Sequence, residues 1–518
     1  MGAPGHVVAD QSEVAALLAD PRTHGIACPV KRFETHGALV FLAGEHAYKL
    51  KRAVRFPFMD FSTPEKRRAA CEAEVAVNRP NAPSLYLGVL AVTRGQDGPL
   101  ALGGEGEAVD WLVHMRRFDE EQTLDRVAAR GGLTDGIIAA LVAAVLASHR
   151  RAPVHAGGPA VHALRRYIGE NAEAFAESAE LFPPGRAAAL TTAAAERLDA
   201  LEPLLLARGR AGWVRRCHGD LHLRNLVLID GRPTLFDAVE FDETIATGDV
   251  LYDLAYLLMD LWQGGLRSEA NRVLNRYLWA SGEEDHLAGM AAMPLFLSLR
   301  AAIRAKVVVA ALPHLAGEER AAREAEARRD FALAEDFLRP APPCLIAVGG
   351  LPGSGKSTLA ARLASEIGRP PGAVHLRSDI ERKLLFGAPE TERLPEEAYG
   401  ATATDKVYAR LRHKAALALK AGHSVIADAM HGRQAERRAI EALAADSGVP
   451  FHGLWLEVPV PVLIERVTRR SGDASDATAD VVRRFAETGT EPVTWRRLPA
   501  GNELDDLIES ARAGLSPA

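Results

Sequence analysis

Apolar and polar positions alternate with two different periods along this chain, and the period changes from region to region. Short runs at Leu39–Leu42, His46–Leu50 and Val109–Met115 have the length and alternation of strands. From Thr123 to Leu338 the spacing is mostly that of helices. The interruption lies between Val214 and Asp242, where two apolar runs, Leu226–Ile229 and Thr234–Phe236, flank Asp230-Gly231 as in a hairpin. Arg339-Pro-Ala-Pro-Pro343 then breaks the helical pattern. Proline ends helices and favours extended backbone, so this segment reads as a stiff linker. Beyond it, strand-like runs at Leu345–Val348, Ala373–Leu376, Ser424–Ala427 and Phe451–Leu456 alternate with helical stretches beginning near Ser357, Asp405, Arg433 and Val460. Such alternation predicts a parallel, doubly wound sheet. The expected organisation is an α+β domain over residues 1–338, a linker over 339–343 and an α/β doubly wound domain over 344–518.

The first strand of the second domain runs into Gly350-Leu-Pro-Gly353-Ser354-Gly355-Lys356-Ser357, which fills the G-x-x-x-x-G-K-[ST] phosphate-binding pattern. Glycines let backbone N–H groups close around phosphate oxygens. Gly350, Gly353, Ser354, Gly355, Lys356, Ser357 and Thr358 are therefore the nucleotide-binding candidates, with Lys356 reaching the β- and γ-phosphates and the Ser357 hydroxyl suited to Mg²⁺. The next strand delivers Asp379 at its carboxyl end, where open α/β sheets place their ligands, and Arg382 follows one helical turn later. A third strand ends in Asp428, an acid suited to Mg²⁺ water or acceptor contacts. Arg466, Arg469 and Arg470 stand at i, i+3 and i+4 and are expected to share one helix face over the phosphates, which makes Arg466 and Arg470 candidates for neutralising charge in transfer. From Cys344 to about Leu498 the chain resembles P-loop kinases of the polynucleotide 5′-kinase, zeta toxin and chloramphenicol phosphotransferase type. The resemblance implies a P-loop NTPase fold in which Asp379 activates the acceptor hydroxyl and Arg382 contacts acceptor or phosphate.

In the first domain, His218-Gly-Asp220-Leu-His-Leu-Arg-Asn225 and Asp237, twelve residues later, place two acids and an amide on the loops bounding one hairpin. Asp220 can orient a hydroxyl and accept its proton, while Asn225 and Asp237 offer the hard oxygen ligands that Mg²⁺ prefers. These residues resemble the aminoglycoside phosphotransferase and choline kinase-like family over about Ala38 to Leu261. That family carries H-G-D-x-x-x-x-N followed by an Asp on the next strand and has the bilobal protein-kinase-like fold. The resemblance implies Asp220 as catalytic base, Asn225 and Asp237 as metal ligands and His218 as a brace of the catalytic loop. One lysine of Tyr48-Lys49-Leu-Lys51 should reach the α- and β-phosphates. Their spacing of two puts both on one strand face, so periodicity does not choose; Lys49 is favoured. Its expected partner is Glu74, with Glu72 as the alternative, in a helix starting after Ser62-Thr-Pro64. Val113-His-Met115 is, by the same resemblance, the hinge that meets adenine. Asp249 and Asp253, at i, i+4, read either as loop braces or as a draw for a cationic sugar. Before Lys49 the chain has only His36-Gly37 and Ala43-Gly44 in place of a glycine-rich loop.

Composition narrows the partners. A 48% hydrophobic and 25% charged chain of 518 residues has material for several cores. Its net charge of −6 gives no support to a broad polyanion-binding surface, so a nucleic-acid acceptor for the second module gains nothing from charge. Cys28, Cys71, Cys217 and Cys344 are scattered without C-x-x-C spacing, which reads as reduced thiols. Met1–His6 lacks a basic then apolar leader, and the apolar runs fall short of the roughly 20 residues that cross a bilayer, so a cytoplasmic location without membrane contact is expected. The two constellations predict an ATP- and Mg²⁺-dependent phosphotransferase with two nucleotide sites. The first acceptor is expected to be a small sugar-like or amino-alcohol molecule. The second is a small metabolite, a nucleotide-sugar or a polynucleotide 5′ hydroxyl. The alternative is a regulatory or stress/toxin-type protein in which one module only binds nucleotide and gates the other. The pattern leaves oligomeric state open. As a whole the chain resembles a bacterial two-module family.

Overall fold

In the computed structural model, which describes residues 7–515 apart from 36, 57, 58, 96, 97, 471, 489, 490 and 500–503, the early strand signals join one antiparallel sheet. The readings made on Met1–His6 and on His36 lie outside the described residues. The sheet holds β1 (Lys31–Glu34), β2 (Ala38–Ala43), β3 (His46–Lys51), β4 (Tyr86–Arg94), β5 (Leu100–Leu102) and β6 (Glu107–Arg116), in the order β1-β2-β3-β6-β4-β5. The sequence pattern did not reveal β4. Register shifts at Gly88 and Thr93 break its alternation, as bulges do. Along β3 the two-residue period sorts side chains to opposite faces: Tyr48 and Leu50 pack with Val14, Leu18 and Phe41, and Ala47 packs with Cys71, Val113 and Met115. Lys49 and Lys51 share the face of Ala47. Against that face lies α1 (Pro64–Asn78), started by Thr63, whose side chain accepts from the Lys66 N–H, with Pro64 in the first turn.

The hairpin forms where expected, as β7 (Leu226–Ile229) and β8 (Arg232–Leu235). Asp230 and Gly231 turn it with φ of 50° and 74°, the left-handed pair that a two-residue hairpin needs. Helices α2 (Val250–Gln263), α3 (Arg267–Ser281) and α4 (Met293–Ala311) follow.

The second sheet is parallel throughout: β9 (Leu345–Gly350), β10 (Val374–Arg377), β11 (Val425–Asp428), β12 (Phe451–Glu457) and β13 (Arg496–Pro499), in the order β10-β11-β9-β12-β13. Helices α5 (Lys356–Ala364), α6 (Ser378–Leu385) and α7 (Val460–Arg469) connect or flank these strands. Ile346, Val348, Leu359, Leu363, Ile426 and Leu454 form the core between strands and helices. Asp428 pairs in register with both Val348 and Arg377, so the carboxyl ends of β9, β10 and β11 lie level. That alignment gathers the phosphate loop and two acids at one edge of the sheet. Among the described residues no helix is long and apolar enough to cross a membrane.

The compact units do not coincide with the boundary expected at 338–344. One contains the described residues up to Asp260 together with Leu299–Ala332; the other contains Leu261–Ser298 and the described residues from Leu333 onward. Helix α3 therefore packs with the parallel sheet, and the reason is polar. β10 is an edge strand, with backbone groups that a neighbouring strand would otherwise satisfy. Asn271 Nδ2 donates to the carbonyls of Pro371 at 3.0 Å and Ala373 at 3.1 Å, and Asn275 Nδ2 donates to Ala373 at 3.2 Å. Asn275 Oδ1 accepts from the His375 N–H at 2.7 Å, and Trp279 Nε1 donates to the His375 carbonyl at 2.8 Å. The side chains at i, i+4 and i+8 of one helix thus replace a strand.

Asn275→Leu should leave the buried His375 N–H without its acceptor, at a cost of about 1–3 kcal/mol. The expected outcome is a lower urea midpoint for the unfolding transition of the second unit, together with faster hydrogen exchange at His375. An unchanged midpoint and unchanged protection would show that α3 does not hold this edge.

Candidate active sites

In the first unit, β3 and α1 meet through charge. Lys49 Nζ lies 2.9 Å from Glu74 Oε1 and 2.6 Å from Asp237 Oδ1. Lys51 pairs with the other Glu74 oxygen at 2.5 Å and with Glu240. The two lysines differ in depth: the Lys49 side chain keeps 16% of its exposure and touches Asp237, whereas Lys51 keeps 3% and is a buried counter-ion. Glu72 turns instead to Arg68 on the surface. Burial opposes the charge on Lys49, but Asp237, Glu74 and Glu240 outweigh it and hold the ammonium well above the usual lysine range. Burial also opposes the charge on Glu74, and Lys49 and Lys51 pull its carboxyl down to about 2.

The loops at the hairpin are fixed from several sides. Asp237 adopts a φ of 59°; its N–H donates to the Tyr86 hydroxyl at 3.1 Å, and the next N–H, of Ala238, donates to Asn78 Oδ1 at 2.7 Å. His218 donates a ring N–H to the Phe236 carbonyl at 2.9 Å, which ties its loop to the residue before Asp237. Asn225 Nδ2 donates to Asp220 Oδ2 at 2.9 Å and to the Asp220 carbonyl at 3.0 Å. Asn225 Oδ1, the oxygen a hard cation takes, has no protein partner among the described residues. Asn225 and Asp237 therefore fit a divalent cation chemically. Burial would raise the Asp220 carboxyl, but His222, at 3.3 Å, with His218 and Arg300 brings it down to about 2. It is ionised at neutral pH.

Asp249 and Asp253 are braces, which overturns the cationic-sugar reading. Asp253 accepts from the N–H groups of His218 at 3.3 Å and Gly219 at 2.8 Å and pairs with His149 at 3.1 Å. Asp249 is buried against Arg208, at 2.6 and 2.8 Å. Met115 is buried within β6, packed with Leu42, Ala47 and Val113. Sequence reasoning missed Asn78, Tyr86 and Arg300. Arg300 donates to the Gly219 carbonyl at 3.2 Å and lies 4.0 Å over the Tyr252 ring. Asn78 stands four residues after Glu74, so its place on the same helix face was the available signal.

In the second unit, Gly350, Gly353 and Gly355 adopt φ of 142°, 84° and 92°. A Cβ on Gly350 would come within 2.9 Å of the Leu456 carbonyl and Ser354 Oγ, and one on Gly353 within 2.9 Å of the Leu463 carbonyl. Only glycine builds this loop. Lys356, Ser357 and Thr358 form the first turn of α5, where backbone N–H groups lack intrahelical partners. Thr358 is exposed, and the buried Ser354 hydroxyl has no partner. A glycine cradle, an orphaned hydroxyl and a helix start together fit a polyphosphate. Lys356 donates to the Leu351 carbonyl at 3.1 Å; burial lowers its ammonium below the usual range, against the pull of Asp428 and Asp379.

Asp379 is the second residue of α6. Burial raises its carboxyl above the usual range, with Asp428 and Asp473 adding to the effect and Arg377 and Lys356 opposing it. Asp428 is buried, 3.3 Å from His375 Nε2 and 3.7 Å from Arg377 Nε. Burial works against its charge, but His375, Arg377 and Lys356 hold it at about 2. On the β12 side of the loop, Leu351, Ser354, Trp455, Leu456, Glu457 and Pro459 are among the residues that line a cavity of about 370 Å³. Its mixed lining, with an indole and a carboxylate, has both the apolar surface and the polar groups of a site for a nucleoside.

The shared face expected of Arg466, Arg469 and Arg470 does not form. Helix α7 ends at Arg469, and Arg470 is extended, with φ −70° and ψ 137°. Periodicity places side chains only while the helix continues. Arg470 donates to the carbonyls of Ser475 at 3.0 Å and Ala477 at 3.2 Å, and its charge acts on Lys356. Arg469 pairs at the surface with Glu465, and Arg466 is exposed on α7. Arg382 donates to the Ala398 carbonyl at 2.5 Å and lies 5.0 Å over the ring of Tyr399, on which the charge of Asp379 also acts. Sequence reasoning missed His375, Arg377 and Asp473, which no motif marks.

Two family models match this chain. One, described as the Phosphotransferase enzyme family, covers residues 58–293; the other, described as an AAA domain, covers residues 345–492. The uncharacterized protein Rv2004c of Mycobacterium tuberculosis is 30% identical over 487 residues, covering 92% of this chain and 94% of its own length. An adenylyl-sulfate kinase of Myxococcus xanthus is 33% identical over 119 residues, 23% of this chain and 59% of that protein. Among solved structures, a choline/ethanolamine kinase family protein from Mesorhizobium loti is 16% identical, covers 64% of this chain and 95% of its own, and superposes with a TM-score of 0.40.

The two lysines of β3 should separate by experiment. Lys51→Ala strands Glu240 and one oxygen of Glu74 in a buried setting, a loss on the order of 3–5 kcal/mol, and should lower the thermal midpoint sharply. Lys49→Ala should lower it little yet weaken nucleotide binding in the first unit. Calorimetric ATP titration in a Lys356→Ala background isolates that site. Equal effects of both substitutions on both readouts would erase the distinction drawn from depth.

Proposed function

This chain belongs to the same family as the mycobacterial proteins that match it nearly end to end, and from that membership we propose that it is an ATP- and Mg²⁺-dependent phosphotransferase with two nucleotide sites. A phosphotransferase-family module precedes a P-loop kinase module, so the chain is of the kinase type. The observation that carries the finer reading is a repeated arrangement: in each unit a lysine faces carboxylates, Lys49 facing Glu74 and Asp237 and Lys356 facing Asp428 and Asp379, and in the first unit a further carboxylate, Asp220, is bonded to Asn225. An ATPase needs no acceptor base; a kinase does.

In the first unit Lys49, paired to Glu74, would hold the α- and β-phosphates. Asn225 and Asp237 would hold Mg²⁺, and Asp220 would receive the acceptor proton. In the second, Gly350 to Ser357 would hold the phosphates, Ser357 and Asp428 the metal, and Asp379 the acceptor hydroxyl. Bound Mg²⁺ supplies neutralisation of the phosphate charge. In both, the acceptor oxygen bonds to the γ-phosphorus, the bond to the β–γ bridging oxygen breaks, ADP departs, and the hydroxyl proton passes to the carboxylate. Asp220 is ionised for this at neutral pH, while the raised carboxyl of Asp379 is the more basic acceptor. For the first unit the acceptor is a small sugar-like or amino-alcohol molecule. For the second it is a hydroxyl on a small metabolite, a nucleotide-sugar or a polynucleotide 5′ end. The matched adenylyl-sulfate kinase puts adenylyl sulfate among the first compounds to test there.

Transfer from γ-labelled ATP to a panel of hydroxyl compounds, using the full chain and its Asp220→Asn and Asp379→Asn variants, tests this function. Each substitution should leave ATP affinity within about threefold, under about 1 kcal/mol. Each should lower transfer to its own acceptor at least about a hundredfold and spare the other. ATP turnover without transfer to any acceptor, or turnover indifferent to both substitutions, would make the protein an ATPase.

A further inference from the structure

Arg377, the last residue of β10, takes no part in holding nucleotide in the function proposed above. Its place puts it on the other side of the site. The phosphate loop leaves β9, and the cavity beside it lies toward β12. β10 is two strands away in the opposite direction, and Arg377 stands two residues before Asp379, level with Asp428. The groups around it are Asp473, Asp428, Asp379 and the Trp279 ring, with Lys356 nearby.

The bonding of this guanidinium is incomplete. Two of the buried arginines of the first unit, Arg67 and Arg208, each grip one carboxylate through Nε and Nη2: Asp110 at 2.7 and 2.9 Å, and Asp249 at 2.6 and 2.8 Å; a third, Arg300, spends its Nε and Nη1 on the carbonyls of Tyr252 and Gly219. Arg377 has, among the described residues, a single hydrogen bond, from Nη2 to Asp473 Oδ1 at 2.8 Å. Its Nε is buried without a partner, 3.7 Å from Asp428 Oδ2. The Trp279 ring lies 5.9 Å from the guanidinium, and Trp279 is itself anchored to the His375 carbonyl. A guanidinium has five donors in a fork that matches an oxyanion, and a buried one is normally satisfied. Asp473 satisfies it by one oxygen only. The Asp473 side chain is 33% exposed, and an ion pair open to water is weak enough to be exchanged for another anion.

Resting on the kinase reading of the second unit, we infer that Arg377 recognises the acceptor. It binds an oxyanion carried by the acceptor, a carboxylate, sulfate or phosphate monoester, which replaces Asp473 at the guanidinium while Asp379 meets the hydroxyl. The substrate class of this unit is thereby narrowed to anionic hydroxyl compounds. Neutral sugars and amino alcohols lack the group that Arg377 reads.

Sulfate and acetate serve as probes, titrated calorimetrically at constant ionic strength into the full chain saturated with Mg²⁺ and a non-hydrolysable ATP analogue. At least one should bind saturably. Arg377→Gln should weaken that binding at least about tenfold, the effect of losing one charge-assisted contact. Asp473→Asn should strengthen it severalfold, because the competing carboxylate is gone; a merely structural pair would be damaged by both substitutions alike. Analogue affinity should stay within about threefold in both variants. Three results would overturn the inference: no saturable binding of either anion in wild type or Asp473→Asn, binding indifferent to both substitutions, or loss of analogue affinity in Arg377→Gln comparable with the loss of anion affinity. The last would place Arg377 on the nucleotide. Should the anion results hold while no compound is phosphorylated, the kinase reading of the unit fails and Arg377 stands as an anion site.

Discussion

Lys49 joins segments that the chain keeps far apart. Its ammonium reaches Glu74 on a helix 25 residues away and Asp237 beyond a hairpin 188 residues away. Taking such charges out of water costs several kcal/mol per ion, so the cluster is poorly explained as a device for stability. What it provides is geometry. A carboxylate on each side leaves the lysine one position, and that position defines the distance between sheet and hairpin. The second cation, Lys51, neutralises the remaining Glu74 oxygen and Glu240, which leaves Lys49 to bridge Glu74 and Asp237. Asn78 and Tyr86 then orient the backbone that carries Asp237, and Asp253 orients the one that leads to Asp220.

The second unit solves the same problem with backbone. Three strands end level, and a loop that only glycine can trace joins the central one to α5. Acids at the ends of the neighbouring strands then face Lys356 from fixed directions. The exposed edge of this sheet is closed by asparagine and tryptophan side chains of α3, a helix that precedes the proline linker in the chain. Sequence order and compactness therefore differ here: the segment Leu261–Ser298 is matched partly by one family model and packs with the other. Through that helix Trp279 comes to lie against Arg377, so a residue from before the linker packs beside the carboxyl end of β10 after it.

Local periodicity and spacing were enough to locate most of the elements and the motifs. Two-residue and helical periods gave β2, β3, β6 to β12 and most helices, because burial on one face imposes those periods wherever the chain is regular. The glycine spacing of the phosphate loop and the H-G-D-x-x-x-x-N string marked both sites, because phosphate and metal chemistry demand particular atoms at short range along the chain. Where those demands reach across the fold the string is silent. The fold separated Lys49 from Lys51 by depth and paired Glu74, not Glu72, with both, since depth and partner, not spacing, distinguish them. It alone ended α7 before Arg470, spent Arg382 on the Ala398 carbonyl, turned Asp249 and Asp253 into braces and brought His375, Arg377 and Asp473 together. Each of those outcomes depends on which polar groups must be satisfied when distant segments exclude water. A linear pattern records how a residue repeats along its own element, whereas an electrostatic partner is set by distance through space.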